Sequence, residues 1–189
     1  MCGEKNEKED PKSIRDLDRR RLIQSGKQLL STIYEDKKEL ERGKSFLLKE
    51  KKPERGFRLS LRRMEEEGKG YVLSSINPVD VKRKYDVRGD SISYHWLTVV
   101  DGESNFDPSN LHIIGHDMIN FLEDGGGLIF MEGVEIILNH NSFDRFWGFL
   151  NHLVDVVSEE ESILVLSLDP STLSEQSLAQ IERKLELIH

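Results

Sequence analysis

The sequence predicts an α/β fold, a three-layer sandwich around a five-stranded and mostly parallel sheet, and three observations predict it. Short apolar runs alternate with amphipathic stretches in regular succession from residue 43 onward. Two of those runs, LIFM at 128–131 and ILVLSL at 163–168, are unbroken, as strands buried on both faces are. Gly, Pro, Asn and Asp stand between the segments, where helices start and stop.

Taken in order, residues 1–11 (MCGEKNEKEDP) are almost wholly polar and read as a disordered leader. From 12 to 42, apolar residues at Ile14, Leu17, Leu22, Leu29, Leu30, Ile33, Tyr34 and Leu40 recur among charges. Those spacings suit an amphipathic helix better than a strict heptad. Such a helix is marginal alone, so it either packs on the following domain or pairs with a second copy as a short coiled coil. Gly26 weakens the stripe.

The domain spans 43–188. Residues 45–49 predict the first strand, 50–55 a charged loop, and Phe57, Leu59, Leu61 and Met64 a helix stopping before Gly68 and Gly70. Residues 71–75 predict the second strand, and Asn77-Pro78 caps a short helix to Tyr85. A third strand covers 92–100 and a helix 110–123, closed by Gly125-Gly126-Gly127. The LIFM strand, a loop over 132–141, a helix that starts at Asn141 or Ser142 and runs to Val157, and the ILVLSL strand follow. Ser171 or Ser174 caps a last helix running to Leu187. Parallel strands with right-handed crossovers put ligand chemistry outside the carboxyl ends of the strands.

Composition narrows the function. Of 189 residues, 27 are Lys or Arg and 35 Asp or Glu, a net charge of −8. Residues 1–69 are net basic and 70–189 strongly acidic, which argues against a nucleic-acid binder. The triplet Arg19-Arg20-Arg21 adjoins Asp16 and Asp18 and reads as a solvated helix face. No apolar run approaches a membrane span and the N-terminus has no apolar signal core, so no membrane insertion and a cytoplasmic location are expected. Cys2 is the only cysteine, which excludes intramolecular disulfides and Cys-based zinc sites.

The first strand-to-helix loop is the most informative place. A phosphate-binding loop needs G-x-x-x-x-G-K-[ST]: glycines so that backbone N–H groups wrap phosphate, a lysine for charge, a hydroxyl for magnesium. In register, Glu50 takes the first glycine position, Arg55 the second, Gly56 the lysine and Phe57 the hydroxyl. Pro53 removes another N–H, and Glu50 is expected to repel phosphate. The flanking apolar frame of Leu47, Leu48, Leu59, Leu61 and Met64 stays. Lys49, Lys51, Lys52 and Arg55 leave a basic loop, suited to an acidic protein surface or to residual anion binding. Glu132 ends the fourth strand, where ATPases of this kind carry a magnesium-linked carboxylate, with Glu135 nearby. The plain expectation is a solvated loop acid.

The segments GKSFLLKE, GYVLSS with NPVDVKRKY, HWL, DPSNL, LIFMEGVEIILNHNSF and LVLSLDPSTLSEQSL together resemble an archaeal family known as domain of unknown function 835. They also look like a weakened RecA/KaiC-like ATPase core, so the resemblance implies a RecA-like sheet with a degenerate phosphate loop. It further implies a regulatory or scaffold role, since the family accompanies receiver, sensor or kinase modules in archaeal signal transduction. It brings no catalytic residues, cofactor or metal.

Other patterns carry less. His112 and His116 stand four apart on a helix, without the glutamate of a metalloprotease or a third ligand, and read as a surface pair. His140 and His152 read as isolated. No serine lies in a G-x-S-x-G elbow. A phosphoacceptor receiver is rejected, because only Asp101 fits its acidic pattern. Phe143, Phe146, Trp147 and Leu150 form a core stripe, whereas Phe149 falls off it; exposed beside Trp147, it would mark a protein-binding surface. The reading is a non-catalytic interaction or regulatory module with a protein partner. The alternative is an unorthodox nucleotide-binding protein or ATPase using Lys51, Lys52 and Arg55 for phosphate and Glu132 for metal or water.

Overall fold

The computed structural model describes residues 40–87 and 91–189. The expected leader, the basic triplet and nearly all of the expected 12–42 helix, with the pairing assigned to it, lie outside the described residues. Of that helix only residues 40–42 are described. They are not helical, and Arg42 and Gly43 turn the chain into the first strand.

The sheet contains β1 (Lys44–Lys49), β2 (Gly70–Ser74), β3 (Ile92–Leu97), β4 (Asn105–Phe106), β5 (Leu128–Met131), β6 (Ile163–Leu168) and β7 (Glu186–Leu187). The helices are α1 (Glu54–Glu67), α2 (Pro78–Tyr85), α3 (Leu111–Glu123), α4 (Val134–His140), α5 (Phe143–Glu159) and α6 (Glu175–Lys184), with a 3₁₀ turn at Pro170–Thr172. Every strand pair is parallel, in the order β4-β3-β2-β5-β6-β1-β7. Among the described residues the sheet thus has seven strands, not the expected five. The two additional strands, β4 and β7, are two-residue edges too short to show an apolar pattern.

Side chains alternate across each strand, so each central strand supplies both cores. Leu47, Leu73, Ile129, Met131, Leu164 and Leu166 pack with α3, α4, α5 and α6 on one face. Phe46, Leu48, Val72, Phe130, Ile163 and Val165 pack with α1 and α2 on the other. This two-sided burial is why LIFM and ILVLSL contain no alternation to read.

Several expectations shift. β3 ends at Leu97 rather than Val100, and the chain bends through 98–100. Residues 54 and 55, expected in the loop, belong to the first turn of α1. The expected 132–141 loop contains α4, which begins after Gly133 at φ +85. The last helix ends at Lys184, and Leu185 carries the chain into β7 beside Phe46 and Leu47. The expected caps hold at three helices. Asn77 Oδ1 accepts from Val79 N–H, Ser142 Oγ from Arg145 N–H and Ser174 Oγ from Ser177 N–H.

Candidate functional site

The carboxyl edge of the sheet holds both acids singled out from the sequence. Glu50 follows β1, and its N–H still donates to Leu168 O at 3.0 Å, continuing the β1–β6 ladder. Its side chain then turns back over the start of α1. Glu50 Oε2 accepts from Arg55 N–H at 3.0 Å, and Oε1 accepts from Gly56 N–H at 2.9 Å and from Ser167 Oγ at 2.8 Å. The first-turn N–H groups of a helix are the donors an anion seeks, and here the chain's own carboxylate takes them. Glu50 therefore does not repel an anion from an open loop; it is the anion. Gly56 makes this approach feasible. A Cβ there would lie 2.7 Å from Glu50 Oε1 and 2.7 Å from the Phe130 ring.

Lys51, Lys52 and Arg55 are exposed around this turn. Lys51 faces Asp169, whose carboxyl is held below its ordinary range mainly by hydrogen bonds from Ser171, with a smaller contribution from Lys51. Asp169 Oδ1 accepts from Ser171 N–H at 2.9 Å and so caps the 3₁₀ turn.

Glu132 is not a solvated loop acid: it is 4% exposed. It follows β5, donates its N–H to Leu73 O, and accepts at Oε1 from the hydroxyl of Ser74 and from Ser75 N–H at 2.6 Å. Ser75 Oγ donates as well, 3.1 Å from Oε1 and 3.0 Å from Oε2. Burial raises the Glu132 pKa, and the bonds from Ser74 and Ser75 act against that rise. Ser75 is fixed in turn, because Trp96 Nε1 donates to Ser75 O at 3.0 Å. Gly133 closes the arrangement, since a Cβ there would lie 3.0 Å from Leu97 and 3.1 Å from Ser75.

By strand alternation Ser74, Glu132 and Ser167 fall on the sheet face that α1 and α2 cover. The structure thus brings Glu50, Gly56 and Glu132 to one face of one edge, with β6 between β1 and β5. Both carboxylates are enclosed in hydrogen bonds from the chain, and Lys51 and Lys52 stay outside. Ser74, Ser75 and Ser167 are the residues that sequence reasoning missed. Their only signal was small hydroxyl residues at the ends of apolar runs.

Elsewhere, Trp147 and Phe149 do not form one exposed patch. Both are half-buried against the core, where Trp147 stacks on Phe143 at 6.2 Å and Phe149 lies against Gly115. His152 is not isolated: it lines a groove between α3 and α5 together with His112 and His116. Among the described residues no three of His, Cys, Asp and Glu are grouped to hold a metal ion. A half-buried network has no signature in the sequence. Tyr71 donates to Asp117 Oδ2 at 2.8 Å, and His95 Nε2 lies 3.9 Å from the same oxygen. The imidazole is stacked between the rings of Tyr71 at 4.3 Å and Phe106 at 5.1 Å.

These features define a parallel α/β protein whose strand-end acids serve as internal hydrogen-bond acceptors. A family model described as "Protein of unknown function (DUF835)" matches residues 49–185, and the chain belongs to that family. No curated protein matches it. No helix among the described residues is long and apolar enough to cross a membrane.

Proposed function

We propose that this chain is a non-catalytic interaction or regulatory module on a RecA-like core, cytoplasmic and linked to signal transduction as its family resemblance suggests. The observation that carries the reading is Glu50 seated on the first turn of α1. In a RecA-like core the phosphate loop follows the first strand, and a carboxylate for magnesium ends another strand on the same edge. Glu50 and Glu132 stand at those two places, and each is bonded by the chain in a manner that leaves nucleotide chemistry without its groups. A triphosphate would have to displace a carboxylate that already takes two backbone N–H groups and a hydroxyl.

The same edge supports a partner surface. Val79 after β2 is 69% exposed, and Val99 after β3 is 71% exposed, with Val100 beside it. Apolar side chains of this size, at the start of α2 and on the bend after β3, are suited to a protein partner, and Lys51 and Lys52 add charge to that edge. Calorimetric titration with ATP, with and without magnesium and up to about 1 mM ligand, tests the reading. The expected result is no saturable heat. Magnesium-dependent saturation that disappears in Glu132→Gln would replace this reading with the nucleotide-binding one.

A further inference from the structure

We infer that the groove between α3 and α5 is a binding site for a small amphipathic anion, a monocarboxylate with an apolar aliphatic or aromatic body. This site is separate from the strand-end edge and does not depend on the function proposed for it. The groove measures about 510 Å³, within the range of small-molecule sites. Its floor is apolar: Leu111 and Ile119 from α3 and Phe149 from α5, with Gly115 and Gly148 between them.

Two independent observations point to a ligand, and the first of them to an anionic one. The first is where positive charge and N–H donors are placed. Between residues 89 and 182 the sequence holds 17 acidic residues and a single Lys or Arg, which is Arg145. Arg145 lines this groove together with His112, His116 and His152, three of the six histidines of the chain. Asp144 is the one acid of the lining. Concentrating donors at one place in an otherwise acidic half is complementary to a negatively charged group. Asn120 Nδ2 lies 3.1 Å from His116 Nδ1, so an amide donating there leaves the imidazole proton on Nε2 as a donor.

The second observation is Gly148. It lies inside the 17-residue helix α5, where glycine is among the least favourable residues. A Cβ built on it would meet no atom of the described residues within 4 Å, so no described neighbour requires the missing side chain. Gly115 across the groove differs, because a Cβ there would press on Phe149 at 3.2 Å. Gly148 keeps the floor open where any larger residue would fill it, and the body of the ligand lies there over the α5 backbone. Its carboxylate is held at the rim by Arg145 and the imidazole N–H groups.

Titration of the full chain with decanoate and with 2-naphthoate tests the site. At least one is expected to bind saturably at one per chain, with Kd below about 1 mM. Gly148→Leu is expected to weaken that binding by about tenfold or more while Tm stays equal to or above that of the parent. Arg145→Gln should weaken the carboxylate and leave its neutral counterpart, 2-naphthol or decan-1-ol, unaffected. No saturable binding of either acid up to about 10 mM overturns the site. So does a Kd unchanged in Gly148→Leu, or an equal loss of acid and alcohol in Arg145→Gln.

Discussion

At the carboxyl edge of the sheet, acids are buried or bonded by neighbouring N–H and O–H groups; in the groove between α3 and α5, donors line an open surface. Glu132 is 4% exposed with three donor groups on its carboxylate, whereas His112, Arg145 and His152 are exposed. The glycines follow the same division. Gly56 and Gly133 are required by atoms pressed against them, and Gly148 is required by nothing among the described residues. The difference teaches where to look for function. At the edge the acids are taken up by the chain's own donors, which closes that place to a small anion, whereas a surface with open donors and an unexplained glycine is available to a ligand.

The largest effect expected is at Glu132. Glu132→Ala leaves Ser75 N–H and two hydroxyls without their acceptor and should cost about 3 kcal/mol in urea unfolding at neutral pH. Glu132→Gln keeps an acceptor and removes a buried charge, so it should cost far less. Its sign can be checked by pH. The folded-state pKa of Glu132 is raised above the ordinary 4.5. The native state therefore gains relative stability below that value and loses it as pH rises through the folded pKa. Glu132→Gln should flatten that loss, and an unchanged pH profile would show that the acid is not buried as described.

Gly56→Ala comes next, with about 2 kcal/mol lost, because the new methyl would meet Glu50 and Phe130. Glu50→Ala should cost about 1 kcal/mol, as the loss of a helix-start acceptor does, with amide exchange rising at Arg55 and Gly56 first. Gly148→Ala should go the other way and stabilise by up to about 1 kcal/mol. That opposite sign at two glycines in one chain is the sharpest test of the comparison, and a loss at both would break it.

The smallest effect is expected from His95. Burial lowers its pKa below the ordinary 6.5, against the opposing pull of Asp117. The stability this contributes is present above 6.5 and lost as pH falls through the lower folded pKa. His95→Phe should make unfolding less sensitive to acid over that range, read by Tm at successive pH values. Tyr71, Ser93, Asp117 and Asn120 line the same cavity as His95, so Asp117→Asn is the matching control.

Much of the fold was legible because its signals are local. The apolar runs of β5 and β6 follow from burial on both faces, and Asn77, Ser142 and Ser174 announce helix starts because a short polar side chain reaches its own backbone. α4 was read as a loop because seven residues following Gly133 show barely two turns of pattern. β4 and β7 are two residues each, below any periodicity. Glu50 was legible as the acid that breaks the phosphate-loop pattern. Its seat on Arg55, Gly56 and Ser167 was not, since Ser167 is 117 residues away.

By itself the sequence determined the parallel α/β class, the central strands, the main helix caps and the departure of residues 50–57 from the phosphate-loop pattern, because each rests on residues within a few positions of one another. Only the tertiary structure decided that Glu132 is buried on Ser74 and Ser75, that Glu50 occupies the start of α1, and that His152 joins His112 and His116 around Gly148. Apart from the bonds of Glu50 to Arg55 and Gly56, which span five and six residues, those are contacts between segments far apart in the chain, and strand order and helix packing bring them within reach.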